Sequence, residues 1–263
     1  MKISVCGKGG SGKSAVTTLL ANGMRAIGYE VLVVDSDESN SGLHLMLGFQ
    51  HPPISILELV GGKKEVKNVL PKAALAQSER DIGVIAREKV SVDDLPPQQI
   101  VRKDGISLVS VGKILQALEG CACPMGLLSR EFLKKLQLKG NEVAIVDMEA
   151  GVEHLGRGIE TSVDVILVVV DPSYESLQLA EKVTAMTAGI GIEKTWAVLN
   201  KVPSVEVASK LEAELRKRNV RTIGCIQYDP SIFEACLEGR AVKSSETPKT
   251  IQGILDVLLS EAG

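Results

Sequence analysis

Lys8 and Lys13 stand in a stretch built for phosphate. Gly7-Lys8-Gly9-Gly10-Ser11-Gly12-Lys13-Ser14 fits the spacing G-x-x-x-x-G-K-[ST]. Glycines in such a run let backbone N–H groups turn inward around phosphate oxygens, and a helix opening at Lys13 adds its positive N-terminal end. Lys13 would reach the β- and γ-phosphates and Ser14 would hold Mg²⁺. Gly9, Gly10, Ser11, Gly12 and Ala15 would complete the cradle. That work needs one lysine, so Lys8 requires a separate task.

A second group with chemistry is Gly120-Cys121-Ala122-Cys123-Pro124-Met125. Two thiolates one residue apart bind one soft or borderline cation, but a closed tetrahedral site needs four ligands. A two-fold dimer would supply the missing pair, because an isologous interface presents the same patch twice. The flanking Gly120 and Pro124 place the pair on a loop or at a helix start. Cys6 and Cys225, on apolar runs, and Cys236, on a helical stretch, read as small buried residues. His154, alone near a helix start, reads as structural.

The elements that must carry these groups alternate regularly. Short apolar runs cover 3–6, 31–34, 143–148, 163–170, 196–199 and 222–226, and helical stretches cover 13–27, 174–188, 205–217 and 230–238. Runs apolar at every position suit parallel strands buried on both faces. The alternation predicts an α/β fold: a doubly wound, mostly parallel sheet flanked by helices, with ligands at the C-terminal ends of the strands. We expect one P-loop domain over 1–263, with an irregular helical insertion around 51–113 and a metal- and dimer-forming segment around 113–139.

Taken together, these motifs resemble a known class. K-G-G-x-G-K-[ST] is the deviant Walker A signature of the MinD/ParA and nitrogenase iron protein class of P-loop NTPases. The resemblance implies that Lys8 reaches the nucleotide of a second subunit and that ATP drives dimerisation, with Lys8 acting in trans as arginine fingers do. Val33-Val34-Asp35-Ser36-Asp37 would form a first switch, Asp37 holding the attacking water and Asp35 supporting Mg²⁺. Asp147, at the end of Ala144-Ile145-Val146, matches the Walker B-like Mg²⁺ partner that opens a second switch. Asn200, before Lys201, resembles the adenine-contacting asparagine of the class. A guanine-reading Asn-Lys-x-Asp would need aspartate at Pro203, so the base is expected to be adenine. Tyr228-Asp229-Pro230 and Asp171-Pro172-Ser173 match loops that line the base in relatives; ordinary turn chemistry explains both equally.

The phosphate loop, the Cys-Ala-Cys-Pro-Met segment and Asp147-Met148-Glu149-Ala150-Gly151 together resemble the CooC-type ATPases over nearly the whole chain. That resemblance implies a homodimeric, ATP-hydrolysing metallochaperone, with ATP/ADP and Mg²⁺ at each phosphate loop. Ni²⁺ or Zn²⁺ would be shared between subunits through Cys121 and Cys123. The client would be a nickel enzyme such as carbon monoxide dehydrogenase or acetyl-CoA synthase. The iron protein's cluster cysteines lie far apart, one soon after the Walker B-like aspartate, where this chain has none.

Two other readings compete. A nucleotide-switched positioning protein would need a membrane helix or a DNA patch. The C-terminal periodicity of Ile251, Ile254, Leu255, Leu258 and Leu259 carries an acidic polar face, which anionic lipid repels. Lys210, Arg216, Lys217, Arg218 and Arg221 interleave with Glu212 and Glu214, the pattern of a solvated face. The net charge of −3 provides no global basic field for nucleic acid. A redox module using the two cysteines as a dithiol would leave the ATPase machinery without a task. Five cysteines in a chain that reads as leaderless suit reduced thiols, and no apolar window is long enough to span a membrane, so a cytoplasmic location is expected.

Overall fold

Successive residues of the central strands turn to opposite faces, and both sets are apolar. In β1 (Lys2–Gly7) Ile3 and Val5 face one side and Cys6 the other. In β2 (Glu30–Asp35) Val31 and Val33 oppose Leu32 and Val34. The same division runs through β7 (Glu142–Asp147) and β8 (Val165–Val170). A strand apolar on both faces is stable only with helices covering each.

The computed structural model describes residues 1–62, 66, 85, 87–113, 123–156, 158–242 and 247–262. Two strands over 101–110, β4 (Val101–Lys103) and β5 (Ile106–Ser110), precede β7, and β9 (Thr195–Val202) and β10 (Arg221–Gln227) follow β8. The main sheet has eight strands in the order β10-β9-β8-β1-β7-β2-β5-β4. All its ladders are parallel except that of β4 with β5. A separate two-stranded ladder joins β3 (Val90–Ser91) to β6 (Leu136–Gln137).

One face is covered by α1 (Lys13–Ala26) and α9 (Thr247–Ala262), through Val16, Leu20 and Met24 of the first and Ile251, Ile254, Leu255 and Leu258 of the second. Gly224 on β10 makes room for α9, since a Cβ there would lie 2.2 Å from Ile254 Cγ1. The other face is covered by α4 (Cys123–Lys135), α6 (Tyr174–Gly189) and α7 (Val205–Lys217), through Leu128 and Phe132, Leu177 and Val183, and Leu211 and Leu215. The shorter helices α2 (Leu43–Met46), α3 (Ile56–Leu59), α5 (Glu153–Gly156) and α8 (Pro230–Glu238) sit in the connections.

The expected α/β architecture holds, with one difference. Residues 101–110, read above as part of an irregular helical insertion, form two strands of the main sheet. Asp104 and Gly105 turn the chain between them, both with positive φ (50° and 78°), the conformation of a two-residue hairpin turn. The cysteine expectation also needs correcting. Cys6 is buried, but Cys225 is only half-buried and Cys236 is exposed. On α8 it is Ala235 that turns inward, leaving its neighbour in solvent.

Candidate active site

The site lies where β1, β2 and β7 end together. Asp35 and Asp147 are register partners on adjacent strands, and the loop leaving β1 bends over them into α1. Gly12 caps α1 in the left-handed region, φ 95°, and offers no side-chain oxygen to the first-turn N–H groups. By contrast Ser173, Ser204 and Asp229 each accept a first-turn N–H at the starts of α6, α7 and α8. The orphan donors of α1 therefore remain for an anion, and the helix dipole favours one there. A larger residue at position 12 would be strained at this φ and would displace Asn200, because a Cβ would lie 2.3 Å from its Nδ2.

The loop is held from behind by two residues at the end of β9. Asn200 Nδ2 donates to Ser11 O at 2.8 Å, and Lys201 Nζ donates to Gly10 O at 2.7 Å. Lys201 adopts φ 58°, a strained position for a lysine that aims its ammonium back at the loop. Asn200, expected at the base, here braces the loop backbone.

Beneath the loop is an oxygen-rich cluster. Ser14 Oγ donates to Asp147 Oδ2 at 2.6 Å and accepts from Asn40 Nδ2 at 2.7 Å, while Thr17 Oγ1 donates to Asp147 Oδ1 at 3.4 Å. Burial pushes the Asp147 carboxyl up to about 7; the Ser14 hydrogen bond opposes this and the charge of Asp35 adds to it. A hydroxyl and a fully buried carboxylate converging on one point are hard oxygen donors, so Ser14 and Asp147 fit Mg²⁺. Asp35 is placed differently, since its Oδ1 lies 2.7 Å from Lys113 Nζ. Burial raises Asp35 to about 6 against the pull of that lysine. Asp37 folds the next turn: its Oδ1 accepts from Ser39 N, Ser39 Oγ and Asn40 N.

Of these residues Ser14, Asp37, Ser39 and Asn40 line a cavity of about 410 Å³, Asn40 beside Ser14. Gly9, Gly10, Gly12, Lys13, Ser14 and Ala15 line it with Asn200 and Lys201 held against them, and Tyr228 and Asp229 line it from the end of β10. The far end is partly apolar, with Met46, Ile232 and Phe233, and the Tyr228 and Phe233 rings are 6.4 Å apart. A phosphate cradle at one end and an aromatic and aliphatic wall at the other suit a nucleotide. Ser11 and Pro230 are not on the wall: Ser11 is buried beneath the loop, and Pro230 follows the capping residue of α8.

Lys8 points elsewhere. Its Nζ donates to Ser173 Oγ at 3.0 Å and lies 3.8 Å from Asp171 Oδ2 and 3.9 Å from Glu175 Oε2. Asp171-Pro172-Ser173 therefore holds Lys8 and does not line the cavity. Burial works to raise the Asp171 carboxyl. Hydrogen bonds from Ser173 and Ser176, with the charges of Lys8 and Lys201, outweigh it and hold the carboxyl below its ordinary range.

Cys121 lies outside the described residues, and so does the side chain of Cys123, whose backbone opens α4. Among the described residues no group of three or more His, Cys, Asp or Glu is arranged to hold a metal ion. His154 is buried, with Nε2 3.0 Å from Gly151 O, as a structural histidine should be. Thr17, Asn40 and Lys113 are site residues that the sequence reading missed. Thr17 follows Ser14 by three residues on the same helix face, a signal that was available. Lys113 is 78 positions from Asp35, and only the sheet brings them together.

Fold and site define the chain as a P-loop nucleotide-binding protein. Residues 3–242 match the CobQ/CobB/MinD/ParA nucleotide binding domain. An uncharacterized ATP-binding protein of Methanocaldococcus jannaschii is 48% identical over 202 residues, which are 77% of this chain and 79% of that protein. The carbon monoxide dehydrogenase accessory protein CooC of Rhodospirillum rubrum is 32% identical over 236 residues, 89% of this chain and 86% of the relative. Among solved structures, MinD complexed with Mg-ADP from Pyrococcus horikoshii superposes with a TM-score of 0.68 at 17% identity, covering 100% and 98% of the two chains. The chain belongs to the CobQ/CobB/MinD/ParA family and is an ATPase.

Proposed function

We propose that this ATPase is a cytoplasmic metallochaperone that dimerises on ATP and delivers nickel to an enzyme such as carbon monoxide dehydrogenase or acetyl-CoA synthase. The observation that carries this reading is the 32% identity to the carbon monoxide dehydrogenase accessory protein over 89% of the chain. The Cys121-Ala122-Cys123 pair, with thiolates suited to Ni²⁺ or Zn²⁺, supports it. Two such pairs across a two-fold axis complete a four-thiolate site for the metal as cargo.

The chain's own groups divide the hydrolysis between them. The free N–H groups of the loop and Lys13 bind the phosphates, and the Tyr228 and Phe233 end receives the base. Ser14 and Asp147, supported by Asp35, hold Mg²⁺, which when bound neutralises phosphate charge. All three hydrogen bonds at Asp37 described above fall on Oδ1, which leaves its second oxygen to orient the attacking water. Lys8 leaves Ser173 and the Asp171 and Glu175 carboxylates to reach the partner's nucleotide, where it stabilises charge on the transferring phosphoryl group.

Rival readings draw less support. The apolar side of α9, which a membrane tail would present to lipid, is at most 3% exposed at Ile251, Ile254, Leu255 and Leu258. No helix among the described residues is long and apolar enough to cross a membrane. Three of the five basic residues a DNA patch would use are paired: Lys217 and Arg218 with Glu214, and Arg221 with Glu261. The test is anaerobic size exclusion with light scattering and in-line metal analysis, on the wild type and on Cys121→Ser/Cys123→Ser loaded with Ni²⁺. We expect a dimer carrying one nickel that the double variant loses. A wild type that binds no metal and dimerises only with ATP contradicts the reading.

A further inference from the structure

Lys113 and Ser129, on either side of the cysteine pair in sequence, both bond to the first switch. Lys113 ion-pairs with Asp35 Oδ1 at 2.7 Å and also donates to Asp37 O and Asn40 O. An ammonium has three protons, and here each has an acceptor between residues 35 and 40. The pair is mostly buried, with the lysine side chain 16% exposed and the aspartate 8%. On the far side of the cysteines, Ser129 of α4 is fully buried and shares a 2.8 Å hydrogen bond with Ser36. Gly112 closes the gap between these anchors, since a Cβ there would stand 2.9 Å from Met125 Sδ and 3.1 Å from Leu57.

The acidic cluster therefore already holds a cation supplied by the chain. Asp35 and Asp147 are register partners, so their backbones lie about 4.8 Å apart. A divalent ion at Ser14 and Asp147 must share this buried cluster with the Lys113 ammonium, and like charges repel strongly where water is scarce. We propose that Lys113 is an internal counter-cation that exchanges with magnesium-nucleotide: it closes the first switch when the site is empty and is released when Mg²⁺ arrives. It is a positioning residue, and its release passes nucleotide state to the segment that follows it. The consequence for Cys121 and Cys123 as metal ligands rests on the function proposed above; the exchange at Asp35 does not.

The test uses the full chain as wild type, Lys113→Met and Lys113→Arg, with Mn²⁺ as the probe for Mg²⁺. Electron paramagnetic resonance gives the Mn²⁺ affinity of each ADP complex. Removing a competitor should tighten Mn²⁺ binding about fivefold or more in Lys113→Met, whereas a residue of merely structural worth would weaken it when lost. Lys113→Arg should restore the wild-type value. Thiol labelling of Cys121 and Cys123, mapped by mass spectrometry, should respond to Mg·ADP in the wild type and not in Lys113→Met. Unchanged or weaker Mn²⁺ binding in a folded Lys113→Met, or labelling that still follows nucleotide, overturns the proposal. If Lys113→Met does not fold, wild-type amide exchange over 111–113 decides: faster exchange with Mg·ADP supports release, and unchanged exchange overturns it. A chain that binds no nickel but shows the tightened Mn²⁺ affinity keeps the exchange and loses the metal-delivery reading. Nickel binding with Mn²⁺ affinity unmoved does the reverse.

Discussion

Asp147 has no exposed surface, and its carboxyl is held at about 7 in the folded chain, chiefly by burial. Asp35 beside it is held at about 6. In an unfolded chain both would release their protons near 3.9. Between about pH 4 and pH 7 these two groups thus bind more protons in the folded chain than in the unfolded one, and their contribution to stability falls as pH rises. Carboxylates left charged in the empty site cost stability so that an ion can use them. We expect nucleotide-free wild type to lose stability on the order of a few kcal/mol between pH 4.5 and 7.5. Urea unfolding of Asp147→Asn should show a shallower pH dependence and higher stability at pH 7.5, together with loss of Mg²⁺-dependent nucleotide binding. An unchanged slope in the variant would mean that Asp147 is already ionised in the empty fold.

At the level of elements, α9 is the segment that a membrane tail would use. Its apolar stripe packs on β10 and α1, with Ile254 fully buried over Gly224. Truncating a buried isoleucine costs about 2–5 kcal/mol. Ile254→Ala should destabilise by that amount in urea and leave the protein unbound to anionic vesicles in flotation; wild-type flotation, or a negligible loss of stability, would contradict the packing. This placement was legible, because a helix with an acidic polar face must turn its leucines to protein. The ends of α7 and α8 were legible for a similar local reason. Ser204 and the Asp229-Pro230 pair are start signals beside the helices they begin. The hairpin of β4 and β5 was overlooked although Asp104-Gly105 is a strong turn signal, because Arg102 and Lys103 break the apolar run. Those charges suit an edge strand, where they discourage pairing with another chain.

Across the whole molecule, the phosphate loop was legible because its function resides in one contiguous stretch of backbone. The contacts that tie the site to the rest of the protein were not, since they join residues distant in sequence: Lys113 to Asp35, Ser129 to Ser36, and Lys8 to Ser173. Each arises only when parallel strands bring remote ends to one level. They also give the proposed function its form. The first switch touches the nucleotide cavity through Asp37 and Asn40 and the flanks of the cysteine segment through Asp35 and Ser36. Nucleotide and metal should accordingly be coupled, and coupling between binding sites is reciprocal. The measurement that tests this most directly is the Ni²⁺ and Zn²⁺ affinity of the wild type, by competition with a chromophoric chelator, without nucleotide and with a non-hydrolysable ATP analogue and Mg²⁺. We predict that the analogue tightens metal binding about fivefold or more, and that the metal tightens analogue binding by the same factor. Equal metal affinity in the two states would contradict the account.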